Sequence, residues 1–232
     1  MEYLYIAVVI AVISTVVKFI FNVNLNRLKE FSENKELDKL VSKYPSNMEI
    51  CKYYLRKLKN EKVKVEELPQ KEASMYLIVG NKIQIGAISK SYTRIQTIAH
   101  ECLHSIQSKK ILMFNFIFSN LFFIYFFAII ILRFIQFEFV VNNQLVFLSI
   151  LVGFGMAYYA VRTFLENDAM IKARFLAKEY MDDVKISSNK EIEEIIQQYD
   201  KLNDEGIKAV NYSMFLVVSV VIVAFSLICF VR

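Results

Sequence analysis

Two histidines, three cysteines, two prolines and five glycines are all that this 232-residue chain holds of the residues that usually mark metal clusters, disulfide frameworks and loops. The cysteines, Cys51, Cys102 and Cys229, are odd in number and widely scattered. That pattern excludes a disulfide framework and a paired-cysteine zinc or redox motif, and the expectation is free thiols in a reducing compartment. Cys229 sits among apolar neighbours and is expected to be buried. No internal repeat and no low-complexity linker is present. The excess of basic residues is small, 28 Lys and Arg against 23 acids for a net charge of +5. It is concentrated in two polar segments, which suits loops near a lipid surface and gives no nucleic-acid footprint.

What the chain does have is apolar surface. Its hydrophobic content is 56% and its aromatic content 14%, against about 45–50% apolar residues in an ordinary soluble domain. That composition excludes disorder and disfavours a cytosolic globule. Four apolar segments, residues 3–21, 111–132, 144–164 and 212–231, are long enough to cross about 30 Å of hydrocarbon, which takes roughly 20 helical residues. The first begins Met1-Glu2 without a basic n-region or a small-x-small cleavage site, so an uncleaved anchor is expected. Residues 22–110 hold 17 Lys and Arg and residues 163–211 hold seven, whereas the connection between the second and third spans holds only Arg133. Both polar segments are therefore expected in the cytoplasm, with Arg27, Lys29, Lys109 and Lys110 beside the membrane and both termini outside.

The expected organisation is a transmembrane anchor (1–22), then a cytoplasmic helix, a small β-sheet and a metal-binding helix (23–110). A transmembrane hairpin (111–164), cytoplasmic helices (165–211) and a last transmembrane helix (212–232) complete it. Within the first polar segment, Ser46-Asn47-Met48-Glu49 is a capping box that opens a helix over residues 47–60. Alternation over residues 62–66, 75–79 and 82–86, with Gly80-Asn81 between the last two, predicts a small sheet with a tight hairpin. The period turns helical from Ser91. Ser188-Asn189-Lys190-Glu191 predicts a further helix ending near Gly206, separate from the last span.

The only two histidines, His100 and His104, are four residues apart in that helical stretch, and Glu101 follows the first. This spacing puts both imidazoles on one face about a turn apart, so they can share one metal ion. Glu101 adjoins them without being needed as a ligand. The chemistry indicated is that of a zinc hydrolase, in which a zinc-activated water attacks a carbonyl and Glu101 is the general base. Two histidines scattered at random would give this spacing and the Glu together roughly once in a thousand chains, which disfavours an accidental match.

Zinc needs a third protein ligand, and histidine is exhausted, since residues 107 and 110 are Gln and Lys. A carboxylate must serve. Glu166 is the leading candidate, on the expected cytoplasmic extension of the third span, where Ala169, Met170 and Ala173 continue its face. Asp168, two residues on, points elsewhere on that helix. The transition-state oxyanion needs a donor, for which Tyr92, Arg94 and Arg174 all remain open. The Phe-rich stretch 114–127 reads as lipid-facing and helix-packing surface, and Tyr53-Tyr54 as core.

At these residues the chain resembles a known family. Ala99-His100-Glu101-Cys102-Leu103-His104-Ser105-Ile106-Gln107 is similar to the Ala-His-Glu-x-Gly-His-Ala-x-Gln signature of the YugP-like membrane zinc metallopeptidases. Leu165-Glu166-Asn167-Asp168-Ala169 resembles that family's second motif, which supplies the acidic ligand. The order of parts agrees over nearly the whole chain, and the layout is more distantly similar to heat-shock membrane proteases and CAAX prenyl proteases. Leu103, Ser105, Asn167 and Met170 depart from the family pattern, as does the stretch 70–75 before the hairpin. The resemblance implies zinc held by His100, His104 and Glu166, with Glu101 as catalytic base.

The expectation from sequence is thus a mainly α membrane protein with about four transmembrane helices and a small α+β zincin-like cytoplasmic metalloprotease part. It is expected to be a multi-pass zinc metalloendopeptidase of the cell membrane, acting on peptide or membrane-protein substrates, with its site facing the cytoplasm. The competing expectation is a catalytically silent four-span scaffold or interaction protein with a remnant metal site.

Overall fold

The computed structural model describes residues 1–231. Among these the chain forms, in order, helices α1 (Glu2–Ile20), α2 (Leu25–Ser32), α3 (Lys35–Val41) and α4 (Asn47–Lys57), then strands β1 (Lys64–Glu67), β2 (Met75–Leu77) and β3 (Lys82–Ile85). Helices α5 (Arg94–Ile106), α6 (Lys109–Phe134), α7 (Glu138–Asn142), α8 (Gln144–Val184) and α9 (Asn189–Val231) follow. Four of the described helices, α1, α6, α8 and α9, are long and apolar enough to cross a membrane. Helices α8 and α9 have 41 and 43 residues and so measure about 60–65 Å, roughly twice the hydrocarbon thickness. Each contributes one portion to an apolar unit and the other to a polar one.

The chain divides into two compact units. The first comprises Met1–Val23, Met113–Phe164 and Lys208–Arg232. Its core is built by Phe122, Phe126 and Ile129 of α6, Leu148 and Leu151 of α8, and the α9 residues Val218, Ile222 and Phe225. Tyr3, Ile6 and Ile10 of α1 pack against it. Cys229 is buried there as a free thiol, as its neighbours suggest.

The second unit comprises Asn24–Leu112 and Leu165–Ile207. Its sheet has the order β1-β3-β2, with β2 antiparallel to β3 and β1 parallel to β3. Strand β2 ends two residues earlier than expected, so the hairpin turn spans residues 78–81, with the Asn81 N–H donating to the Ile78 carbonyl; Gly80 and Asn81 take positive φ (91° and 48°), the conformation for which Gly and Asn are suited. The capping box at Ser46 is formed, with the Ser46 hydroxyl accepting from the Glu49 N–H while the Glu49 carboxylate accepts from the Ser46 N–H. The same reciprocal pair starts α9, between Ser188 and Glu191. Helix α5 lies at the centre. Ile95, Ile98, Ala99 and Cys102 are completely buried in one cluster with Ile50 and Tyr54 of α4, Ala169, Ala173 and Ala177 of α8, and Ile195 and Tyr199 of α9. The alanines, four residues apart, present a smooth stripe that lets α8 approach closely.

Three expectations are corrected. The helix expected to end near Gly206 does not stop there, because α9 runs unbroken to Val231. Gly206 is a packing glycine: a Cβ there would lie 2.8 Å from the Met170 methyl. The α4 helix ends at Lys57, three residues short of the expected boundary, where Lys59 takes a positive φ of 53°. The cysteines are not all scattered in space, since Cys51 and Cys102, both free and fully buried, bring their sulfurs to 3.6 Å.

Arg94 anchors the start of α5 to the segment before α4. Its Nη1 donates to the Pro45 carbonyl (2.8 Å) and Asn47 Oδ1 (2.9 Å), and its Nη2 to the carbonyls of Val41 (3.0 Å) and Tyr44 (2.8 Å). The Val41 carbonyl, at the end of α3, also accepts from the Tyr44 N–H (3.1 Å). Arg94→Met keeps the bulk of the stem and removes four charge-assisted bonds from a buried site. We expect a loss of about 3 kcal/mol or more, read as a lower denaturation midpoint in detergent.

Candidate metal centre

Helix α5 aligns His100 and His104 on one face, and their Nε2 atoms are 3.0 Å apart. Glu166, near the start of the polar part of α8, brings one carboxylate oxygen to 3.4 Å from His100 Nε2 and 3.5 Å from His104 Nε2. These three side chains form a group able to hold a metal ion. Two donor atoms that each lie 2.0–2.1 Å from a tetrahedral zinc ion are about 3.3–3.4 Å apart, so the observed separations match the spacing that one ion requires. The donor set, two imidazole nitrogens and a carboxylate oxygen, is that of a site with a fourth position left open. The residues present therefore fit a zinc ion. All three side chains are largely but not completely buried, with 11–18% of each side chain exposed, which leaves the cluster open on one side.

Glu101 lies beside this group and outside the ligand set. It is buried, and burial pushes its carboxyl above the ordinary carboxylate range; the charge of Glu166 pushes the same way, while His100, His104 and the Tyr76 backbone N–H of β2 oppose the rise. For His104, burial is the largest influence and acts to lower its pKa, but Glu166, Glu101 and Gln107 outweigh it and the imidazole is raised. The carboxyl groups of Glu166 and Glu101 beside the two imidazoles make a site suited to a divalent cation.

Gln107, the residue immediately after α5, connects this site to α8. Its Oε1 is 2.8 Å from His104 Nδ1, and its Nε2 donates to the Leu165 carbonyl (2.9 Å) and to Asp168 Oδ2 (3.0 Å). Asp168 is thus not a ligand in this arrangement; it faces Gln107 and pairs with Lys172. In the sequence Gln107 stands as the last residue of the motif that begins at Ala99 and as the position where a third histidine is lacking. Its position three residues past His104 was the available signal for the contact, but its partners come from a segment 58 and 61 residues away.

None of the three residues left open as oxyanion donors is brought to the cluster. The Tyr92 hydroxyl donates to the Phe31 carbonyl. Arg94 is committed to the four acceptors described above, and Arg174 pairs with Asp200 and lies over the Phe175 ring. Tyr54 is fully buried, as expected of a core residue, whereas Tyr53 is only partly buried: its ring packs edge-on against Tyr180 and its hydroxyl donates to Asp183.

Comparisons of the chain with protein-family models, with curated proteins and with solved structures gave no match.

Proposed function

We propose that this protein is an integral membrane zinc metalloendopeptidase of the YugP-like kind, with a zincin-like catalytic part facing the cytoplasm. The observation that carries this reading is the convergence of His100, His104 and Glu166 within 3.0–3.5 Å while Glu101, on the same turn as His100, stays outside the ligand set. His100, His104 and Glu166 would hold the ion. When bound, zinc supplies Lewis acidity, lowering the pKa of a coordinated water and polarising the scissile carbonyl. Glu101 accepts the proton of the attacking water and delivers it to the departing amine. Burial pushes its carboxyl above the ordinary carboxylate range, which suits a group that must hold a proton between those two steps. Strand β2 occupies one edge of the sheet, and the Tyr76 N–H of that strand already faces Glu101. A peptide or membrane-protein segment added along this edge would place its backbone next to the base.

The test is metal content followed by hydrolysis. Full-length protein purified in detergent without chelator is expected to carry about one zinc per chain and to cleave an unfolded polypeptide in a chelator-sensitive manner. Absence of both metal and cleavage would favour the silent scaffold.

Orientation is tested separately. The native cysteines are all buried, so background labelling is low. A cysteine introduced at the exposed positions Glu72 or Asn189 is expected to be shielded from an impermeant thiol reagent in intact cells. One at Asn142, on the short connection with few basic residues, should be labelled. The reverse pattern would put the metal site outside the cytoplasm.

A further inference from the structure

We infer that Gln107 is a positioning residue that, held by Asp168, locks His104 in the tautomer that leaves Nε2 free for a metal. The inference rests on the proposed metal site and adds the device that presents one of its ligands.

Donor and acceptor chemistry fixes which way the Gln107 amide points. The Gln107 amide nitrogen contacts two groups that can only accept, the Leu165 carbonyl and a carboxylate oxygen of Asp168. Asp168 is kept ionised by its pairing with Lys172. Turning the amide over would set its oxygen against two other oxygens, so Nε2 must face α8 and Oε1 must face His104. Opposite Oε1, at 2.8 Å, lies His104 Nδ1, which therefore carries the proton. The Nε2 of His104 is left with a bare lone pair, aimed at His100 Nε2 and Glu166. The tautomer of a histidine ligand is set by the hydrogen bond its other nitrogen makes. Here that bond is fixed by a chain of three groups: a carboxylate on α8, an amide at the end of α5, and the imidazole. With His104 Nε2 as acceptor, the donor in the 3.0 Å contact between the two Nε2 atoms is His100.

The experiment uses the full-length protein in detergent, labelled with 15N only at histidine, of which there are two. Spectra of the zinc-free protein at a pH of about 9, above the usual imidazole range, are expected to show His104 protonated at Nδ1 and His100 at Nε2. Gln107→Met keeps an unbranched side chain of similar length but offers no strong acceptor. It should move His104 towards the Nε2–H form and lower zinc affinity by about 10–100-fold, the usual effect of losing an outer partner of a ligand. Asp168→Asn keeps shape but can donate to the glutamine oxygen, which allows the amide to turn over; it should shift the tautomer the same way by a smaller amount. Thermal denaturation of each variant separates this effect from unfolding. An unchanged His104 tautomer in well-folded Gln107→Met, or zinc affinity within about twofold of the native protein, overturns the inference while leaving the metal site intact. A tautomer shift in a protein that binds no zinc even with native Gln107 supports the lock and removes the peptidase reading.

Discussion

Glu101→Gln is expected to leave zinc bound and to reduce peptide hydrolysis by about 10²–10⁴-fold, the range supplied by a general acid–base group. The substitution is nearly isosteric and retains a side chain suited to a helix, so His100 and His104 should keep their places on α5. It removes only the proton acceptor. Glu101 is buried beside the ligand cluster and makes no contact that the metal group requires. The measurements are zinc per chain by elemental analysis and single-turnover cleavage of an unfolded polypeptide. Full zinc with native turnover would eliminate Glu101 as base, and loss of zinc would show it to be a ligand or a support for one.

The parts of this architecture that were legible in the sequence are those governed by local chemistry. Four apolar runs announce four long helices because hydrocarbon thickness sets a minimum length. Ser46 and Glu49 announce a helix start because both halves of the capping box lie within four residues. The pairing of His100 with His104 follows from helical pitch alone. What was not legible depends on segments brought together across many residues. Alternation around Val65 predicts a strand but not that β1 joins β3 in parallel. Cys51 and Cys102 meet only because α4 packs on α5. Gly206 reads as a helix stop until Met170 of α8 is seen against it. The short helices α2 and α3 were missed despite a usable signal: Asn24 and Asn34 each accept from two backbone N–H groups as N-caps. Their brevity hid them from any test of apolar period. Helical phase sets Asp168 apart from Glu166, but its partner Gln107 is found only in the packed structure.

Glu166→Ala should empty the site, with a fall in zinc affinity well beyond the roughly 10–100-fold that follows loss of an outer partner. The reason is stoichiometric. With no third histidine in the chain, removing Glu166 leaves two protein donors, and His100 and His104 alone cannot complete a three-ligand site. Alanine suits the helix and Glu166 is at the surface of the cluster, so α8 should stay folded through Ala169, Ala173 and Ala177. Asp168→Ala is expected to weaken zinc binding less, because it acts through Gln107 and leaves all three donors in place. Competitive titration with a zinc chelator ranks the two variants on one scale. The reverse ranking, with Asp168→Ala empty and Glu166→Ala full, would mean that α8 is turned by two residues from the phase that puts Glu166 3.4 and 3.5 Å from the two imidazoles. Unchanged affinity in both variants would move the third ligand to an acid elsewhere in the polar unit, and the proposed centre would fall with it.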